Sequence, residues 1–255
     1  MNAEVRQGDA LDVLRGLPDR SVHAIVTDPP YCSGGASEAG RAAARCQGIR
    51  SGRERSGEVE WFAADNMGTA GLVWILRSVA FEAERLLVDG GSLVAFCDWR
   101  MWANLAPAME SGGLRLVNLL VWDKQSMGLG QGFRTRHELA IHLTNGVGIY
   151  HDKSTSNVLE CGRVHVSDRE HPTEKPIDLM RAIVRVVSPP GGLVVDPFCG
   201  SGSTGMACKR EGRSFLGVER NPEYCEVARS RLRGESEQTE LITESHHDTD
   251  TEDDA

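Results

Sequence analysis

Hydrophobic positions follow two different periods along the chain, one typical of strands and one typical of helices. Short β-branched runs bounded by glycine, proline or charged residues predict strands, and longer segments with apolar residues every three or four positions predict helices. The predicted strands cover residues 3–7, 22–27, 92–97, 115–122, 138–144, 193–196 and 214–218. The predicted helices cover residues 10–16, 69–87, 100–111, 176–187, 203–211 and 222–232.

The order of these elements predicts an α/β fold with a mostly parallel sheet. Strands and helices alternate along most of the chain, as crossover connections between parallel strands require. Only the strands at 115–122 and 138–144 follow each other without a helix, which predicts an antiparallel hairpin. We therefore expect one seven-stranded domain over residues 1–233, with ligands at the carboxyl ends of its strands.

The strand at 22–27 ends in Asp28-Pro29-Pro30-Tyr31. The prolines fix φ and remove two backbone donors, so that nearby carbonyls are open to accept hydrogen bonds from a ligand. Asp28 adds an acceptor and Tyr31 adds a flat stacking face. The group suits a planar heterocycle that carries an exocyclic amino group, although a strand that ends in a Pro-Pro turn is also common without any function.

A glycine-rich turn follows the strand at 193–196. Gly200, Gly202 and Gly205 match the spacing of a dinucleotide-binding turn between a strand and a helix. The next strand ends in Glu219, where an acid can hold ribose hydroxyls. This order of strand, glycine turn, helix, strand and acid predicts a nucleotide-type ligand.

The acid before the glycine turn, Asp196, favours one ligand over another. A pyrophosphate beside this carboxylate would be repelled, whereas the sulfonium and ammonium of S-adenosylmethionine would be attracted. The charge therefore favours the methyl donor over a nicotinamide dinucleotide. Asp196 could instead cap the turn and contact no ligand.

Taken together, these motifs resemble the β-class DNA amino-methyltransferases. In that family the DPPY motif precedes the cofactor turn, and the segment His171-Pro172-Thr173-Glu174-Lys175-Pro176 matches a further family motif. The resemblance spans roughly residues 5 to 232. It implies a Rossmann-like methyltransferase fold with circularly permuted motif order, in which the strands at 22–27 and 193–196 are neighbours. It also implies a glycine turn at 90–91 between the helix at 69–87 and the next strand.

The resemblance assigns roles to individual residues. The implied S-adenosylmethionine site consists of Asp9 near the adenine, Glu219 at the ribose, His171, Thr173 and Lys175 near the methionine carboxylate, and Asp196, Pro197, Phe198, Gly200, Ser201 and Gly202 around the methionine half. The implied catalytic residues are Asp28, Pro29, Pro30 and Tyr31. The implied reaction methylates a flipped-out base of double-stranded DNA, adenine N6 by preference because DPPY is more typical of adenine enzymes, with cytosine N4 as the alternative.

Charge and composition refine this picture. The chain carries a net charge of −9, but residues 234–255 hold nine acids and no lysine or arginine, so the rest has 28 acidic and 28 basic residues. We expect that segment to be a disordered tail. Seven dispersed cysteines without metal-ligand spacing, and no apolar run long enough for a bilayer, predict a cytoplasmic protein with no metal site and no membrane partner.

Two segments are candidates for contact with DNA. Residues 32–66 form an Arg- and Gly-rich loop in which Arg45, Arg50 and Arg53 are candidate phosphate contacts, although a solvated loop is the alternative. Residues 145–170 occupy the place of the family's target-recognition region but are few, so that residues 123–137 could share the task.

Other functional classes remain open at this level. A nicotinamide oxidoreductase would explain the glycines but not the DPPY motif, and a methyltransferase for RNA or protein would have the motifs in another order. A catalytically silent DNA-binding module would leave intact catalytic motifs unused. The sequence also leaves open a homodimer and a restriction endonuclease partner.

Overall fold

The fold was analysed in a computed structural model that describes residues 2–30, 68–128, 131–162 and 175–234. The strands are β1 (Ala3–Gln7), β2 (Val22–Thr27), β3 (Leu87–Cys97), β4 (Arg115–Asp123), β5 (His137–Thr144), β6 (Val158–Glu160), β7 (Leu193–Asp196) and β8 (Ser214–Glu219). The helices are α1 (Ala10–Arg15), α2 (Thr69–Leu86), α3 (Trp102–Glu110), α4 (Ile177–Val187), α5 (Ser203–Arg210) and α6 (Pro222–Arg233).

All eight strands form one sheet in the order β1-β8-β7-β2-β3-β5-β4-β6. Only β5 runs against its neighbours, since it pairs antiparallel with both β3 and β4. The other pairs are parallel. This arrangement confirms the predicted α/β class, the single antiparallel strand and the adjacency of β2 and β7.

Two details of the sheet differ from the sequence prediction. An eighth strand, β6, was missed because it has only three residues, two of them exposed. The predicted glycine turn at 90–91 is wrong, since β3 begins at Leu87 directly after α2. Gly90 instead has a φ of +76° within β3, where the register with β2 shifts. The two glycines therefore form an irregularity inside strand β3 and not a turn before it.

Helices cover both faces of the sheet and give two apolar cores. On one face α2 and α3 pack over β3 and β5 through residues such as Leu76, Met109 and Ile141. On the other face α4, α5 and α6 pack over the remaining core through residues such as Val184 and Phe215. A sheet that is covered on both faces reads as nearly continuous apolar strands, and β2 and β3 do so.

Alternation of side chains along each strand divides the sheet into these two faces. Ala24 and Val26 of β2 point to the side of α4, and Ile25 points to the side of α2. On β3, Phe96 points to the α4 side and Ala95 to the α2 side. Within the described part of the chain, no helix has the length and apolar character needed to cross a bilayer.

Candidate active site

Four acids lie in a row at the carboxyl ends of four neighbouring strands. Asp9 follows β1, Glu219 ends β8, Asp196 ends β7 and Asp28 follows β2, and these strands are consecutive in the sheet. Residues that lie far apart in the sequence therefore meet at one edge, because parallel strands end on the same side.

Asp196 is buried and its two oxygens accept hydrogen bonds from within the protein. Its Oδ1 accepts from the Thr27 hydroxyl at 2.6 Å and from the Phe198 amide at 3.1 Å, while Oδ2 accepts from the Thr204 hydroxyl at 2.6 Å. Burial raises the pKa of Asp196 to about 6, although these hydrogen bonds lower it in part. This carboxylate therefore organises the turn around it, which is the structural role that the sequence left open.

The Thr27–Asp196 hydrogen bond also connects the two motif-bearing strands. Thr27 is the last residue of β2 and immediately precedes Asp28. The paired register of Ala24 with Val194 and Ile25 with Val195 brings the ends of β2 and β7 side by side. The DPPY turn and the glycine turn thus begin next to each other.

The three glycines of the turn meet different surroundings. A Cβ on Gly205 would lie 2.7 Å from Cε1 of Phe215, and a Cβ on Gly202 would lie 3.1 Å from Cβ of Ala228. A Cβ on Gly200 would meet no atom within 4 Å, and its φ is +49°. Gly202 and Gly205 therefore allow close internal packing, whereas Gly200 presents bare backbone to open space.

The remaining residues of the predicted cofactor site shape the same edge. Glu219 accepts hydrogen bonds from the amides of Gly200 at 3.0 Å and Asn221 at 2.7 Å. Asp9 caps α1 by accepting from the amides of Leu11 and Asp12. Glu219 therefore links the turns after β7 and β8, and the Gly8 amide, which donates to the Glu219 carbonyl at 2.9 Å, joins the turn after β1 to them.

Three residues of the glycine turn pack inward to different degrees. Ser201 is buried, and its carbonyl and hydroxyl accept hydrogen bonds from Arg231 of α6 at 2.9 and 3.1 Å. Pro197 is buried, and Phe198 is partly buried against the α2-side core. The Ser201 hydroxyl is thus engaged with a helix of the protein.

Lys175 lies beside Asp28 of the DPPY motif. Its Nζ forms an ion pair with Oδ2 of Asp28 and lies 3.3 Å from Oε2 of Glu138. The rings of Phe96 and Trp122 lie 5.1 and 6.0 Å from this ammonium. The resemblance assigns Lys175 to a cofactor carboxylate, and in the structure this residue also contacts the catalytic motif.

Further charges continue from Lys175 along β5 and β4. Glu138, the second residue of β5, also pairs with Lys124, which directly follows β4. The sequence predicted Glu138 only as the first residue of a strand and Lys124 only as part of the segment 123–137. An acid directly before the apolar run Leu139-Ala140-Ile141 was the signal that could have marked Glu138 as part of the site.

Several predicted residues lie outside the described part of the chain. These are Tyr31 of the DPPY motif, His171 and Thr173 of the predicted carboxylate site, and Arg45, Arg50 and Arg53 of the Arg-rich loop. Of the DPPY motif, Pro29 is buried, while Asp28 and Pro30 are partly exposed. Among the described residues, no cluster of His, Cys, Asp or Glu has the arrangement of a metal site.

Cys199, inside the glycine turn, is buried, and burial raises the pKa of its thiol. Its Sγ would lie 2.7 Å from a Cβ on Gly217. The side chain therefore fills space beneath the turn, and a protonated thiol in such surroundings is a poor nucleophile.

Comparison with known proteins places this arrangement in a family. Residues 22–230 match the profile of the N6_N4_Mtase family, described as DNA methylase. YubD of Escherichia coli (strain K12), a protein named for an inferred methylase activity, is 30% identical, and the match covers 89% of this chain and 88% of that protein.

Solved structures share the fold at lower sequence identity. The crystal structure of an M1.HpyAVI–SAM complex has a TM-score of 0.63 at 22% identity, covering 90% of this chain and 99% of that one. The cytosine-N4-specific PvuII DNA methyltransferase has a TM-score of 0.71 at 19% identity, covering 96% of this chain and 91% of that one.

Proposed function

The chain belongs to the N6_N4_Mtase family of DNA methylases, and from that premise we propose that it transfers a methyl group from S-adenosylmethionine to N6 of adenine in double-stranded DNA. The observation that carries the proposal is the junction of the two turns at one sheet edge. Asp28 lies immediately after Thr27, whose hydroxyl binds the carboxylate at the start of the glycine turn.

The residues at this edge fit S-adenosylmethionine. Gly200 presents backbone to open space, so that a ligand can approach closely, and Glu219 and Asp9 offer carboxylates in line with it. Asp196, Pro197, Phe198, Ser201 and Gly202 would shape the methionine end of this site. When bound, S-adenosylmethionine supplies an electrophilic methyl group on a sulfonium.

Asp28 and the Pro29 carbonyl would act on the amino group of the target base. An amino group in a duplex is not accessible from this cleft, so the target nucleotide must leave the base stack. Its nitrogen lone pair is delocalised into the ring and is a poor nucleophile. Hydrogen bonds from the amino group to Asp28 and to the Pro29 carbonyl favour a more tetrahedral nitrogen, and Tyr31 would stack on the ring.

Transfer in this site needs no covalent intermediate with the protein: the nitrogen–methyl bond would form as the methyl–sulfur bond breaks, a neutral thioether would leave, and the nitrogen would then lose one proton to solvent. Alignment of the amino group beside the cofactor site would supply most of the rate enhancement. We assign Asp28 to hydrogen bonding and orientation of the amino group, since the buried Lys175 ammonium already pairs with this carboxylate.

Adenine is favoured over cytosine by the first residue of the motif. In enzymes of this class DPPY is more typical of adenine as the target, whereas a serine often begins the motif in cytosine-N4 enzymes. The similarity to the cytosine-N4-specific PvuII enzyme supports cytosine as the second candidate. Digestion of DNA methylated by the purified protein, followed by mass spectrometry of the nucleosides, distinguishes the two. N6-methyladenine supports the proposal, and N4-methylcytosine alone refutes the adenine assignment.

A substitution at Asp28 tests the catalytic assignment. We expect Asp28→Ala to abolish DNA methylation, while calorimetry still detects binding of S-adenosylmethionine. Asp12→Ala, at an exposed acid of α1, is the control and should keep wild-type activity. Substantial methylation by Asp28→Ala would contradict the assignment.

Two assays test the competing classes. Calorimetric titration with NAD should give no binding where S-adenosylmethionine binds, because an acid row repels a pyrophosphate. Incubation with RNA of the same sequence as a methylated DNA should give no methyl transfer. Preferential binding of NAD would favour an oxidoreductase, and preferential methylation of RNA would favour an RNA enzyme.

A further inference from the structure

Charged residues from four segments converge on the α4 side of the sheet beside Asp28. In β2, Ala24 and Val26 face α4, and the same two-residue period brings Asp28 to that side. In β5, Ala140 faces α4, and Glu138 lies two residues before it. Strand register alone therefore directs both carboxylates toward the position where Lys175 precedes α4.

Lys124, which follows β4, is the fourth charged residue of this group. Trp122 of β4 packs on the α4 side, and Lys124 follows two residues later. Glu138 pairs with Trp122 in the antiparallel register of β4 and β5. The ammonium of Lys124 lies 5.1 Å from the Trp122 ring and pairs with Oε1 of Glu138.

These four side chains form an alternating series of charges. Lys124 contacts Glu138, Glu138 contacts Lys175, and Lys175 contacts Asp28. Two ammonium groups and two carboxylates balance each other. A buried charge is tolerated only when it is paired, and the side chain of Lys175 is only 6% exposed.

We propose that Glu138 is a positioning residue that acts through Lys175 to fix the Asp28 carboxylate toward the target amino group. The inference rests on the proposed role of Asp28. A single ammonium between two carboxylates is located by both of them, so that Glu138 sets where Lys175 lies. Because Lys175 holds Oδ2 of Asp28, it fixes the orientation of the planar carboxylate.

Protonation of these groups is consistent with this role. Burial alone would raise the pKa of Glu138, but the ammonium groups of Lys175 and Lys124 outweigh burial and lower it. Burial lowers the pKa of Lys175, but Asp28 and Glu138 outweigh burial and raise it. Both partners are therefore ionised near neutral pH, which the ion pair requires.

A double-mutant cycle with Glu138→Gln and Lys175→Met tests the proposal in the full-length protein. The first variant keeps size and removes the charge, and we expect it to lower kcat for DNA methylation at least about tenfold. Its Kd for S-adenosylmethionine should stay within about threefold of wild type. In the Lys175→Met background the same Glu138→Gln change should lower kcat no further, because the residue through which it acts is gone.

Several controls make this cycle specific. Asp178→Asn removes an exposed carboxylate at the start of α4 and should leave kcat unchanged. Lys175→Arg keeps the charge and should retain more activity than Lys175→Met. If Glu138→Gln does not fold, as thermal unfolding would reveal, Lys124→Met replaces it in the cycle and should likewise lower kcat only when Lys175 is present.

Two results would overturn the proposal. Equal losses of kcat from Glu138→Gln in both backgrounds would show a role that does not pass through Lys175. A Lys175→Met protein with unchanged kcat but at least about tenfold weaker cofactor binding would return Lys175 to the cofactor carboxylate. Neither result depends on which base is methylated. If the wild-type enzyme methylates cytosine, only the adenine assignment is refuted, and the double-mutant cycle can still be measured with that substrate.

Discussion

At the scale of single residues, Asp196 joins two strands and one helix. Hydroxyl groups from Thr27 at the end of β2 and Thr204 in α5 donate to its two oxygens. The sequence identified the acid and its position after a strand, but it could not show where the oxygens point. The attraction between a free carboxylate and a sulfonium is therefore a weaker argument than the sequence alone suggested.

The buried Asp196 makes the stability of the protein depend on pH. Its folded pKa of about 6 lies above the ordinary 3.8, so the folded state binds the proton more tightly. The stability gained in this way is fully present below the ordinary pKa and is lost as pH rises through the folded pKa.

Asp196→Asn is expected to remove this dependence. Between about pH 5 and about pH 7.5 the wild type should lose about 1 kcal/mol of unfolding free energy relative to the variant. Urea unfolding at both pH values measures the difference. His142, whose pKa burial lowers to about 4, is present in both proteins and cancels in the comparison. If the difference in unfolding free energy between wild type and Asp196→Asn does not change with pH, the raised pKa of Asp196 is contradicted.

The glycines of the turn give a second prediction at this scale. Gly205→Ala should destabilise the protein by about 1–3 kcal/mol, because its Cβ would overlap the Phe215 ring. Gly200→Ala should cost only about 1 kcal/mol of backbone strain at positive φ, but should weaken S-adenosylmethionine binding at least about tenfold. Chemical unfolding and calorimetry measure the two effects. Equal cofactor affinity in wild type and Gly200→Ala would rule out a close ligand approach at this glycine.

At the scale of elements, periodicity identified all the helices and long strands that the structure describes. Nearly continuous apolar runs located β2, β5 and β8 to within one residue, because both faces of the sheet are covered. It did not find β6, which pairs with β4 and is flanked by a hydrogen bond from the Val121 amide to the Asn157 carbonyl at 2.8 Å. A three-residue strand that depends on a distant neighbour leaves no period in the sequence.

Arg85 joins the end of α1 to the end of α2. Its guanidinium donates to the carbonyls of Leu17 at 2.9 Å and Leu14 at 3.1 Å. Arg85→Met should therefore destabilise the protein by about 1–2 kcal/mol, because these partly buried carbonyls lose their donors. Arg6→Met removes only an exposed pair with Glu4 and should cost less than about 0.5 kcal/mol. Urea unfolding of both variants checks the ranking, and equal losses would contradict this role of Arg85.

At the scale of the whole molecule, charge is distributed unevenly along the sequence. The net charge is −9, but residues 1–233 carry equal numbers of acidic and basic residues, and the segment 32–66 is rich in arginine. DNA binding by such a segment would release counterions from phosphates, and affinity would then fall with salt.

Replacing Arg45, Arg50 and Arg53 together by alanine should weaken DNA binding at low salt. If each arginine contacts a phosphate, the slope of log affinity against log salt should become shallower by about 2 to 3. Fluorescence anisotropy over a range of salt concentrations measures the slope. The matched control replaces Arg6, Arg15 and Arg77 and removes the same charge. Identical slopes in wild type and the first variant would dismiss the phosphate contacts.

The location of the site in the fold could be predicted from the sequence, but the ion pairs within the site could not. Motif order and strand ends brought Asp28 and Asp196 to one edge, because chain direction in a parallel sheet fixes which ends meet. The pairing of Lys175 with Asp28 and Glu138 could not be predicted, because it depends on the registers of β3 with β2 and with β5 and on where α4 starts.

The pairing of β1 with β8 has a consequence for folding during synthesis on the ribosome. β1, which precedes Asp9, and β8, which ends in Glu219, are hydrogen-bonded neighbours, yet β8 is translated more than 200 residues after β1. Arg229 of α6, synthesised later still, donates to the Val5 carbonyl at 3.0 Å. In the nascent polypeptide β1 therefore stays unpaired until β8 has been synthesised, so this edge of the sheet forms only when nearly the whole domain has been translated.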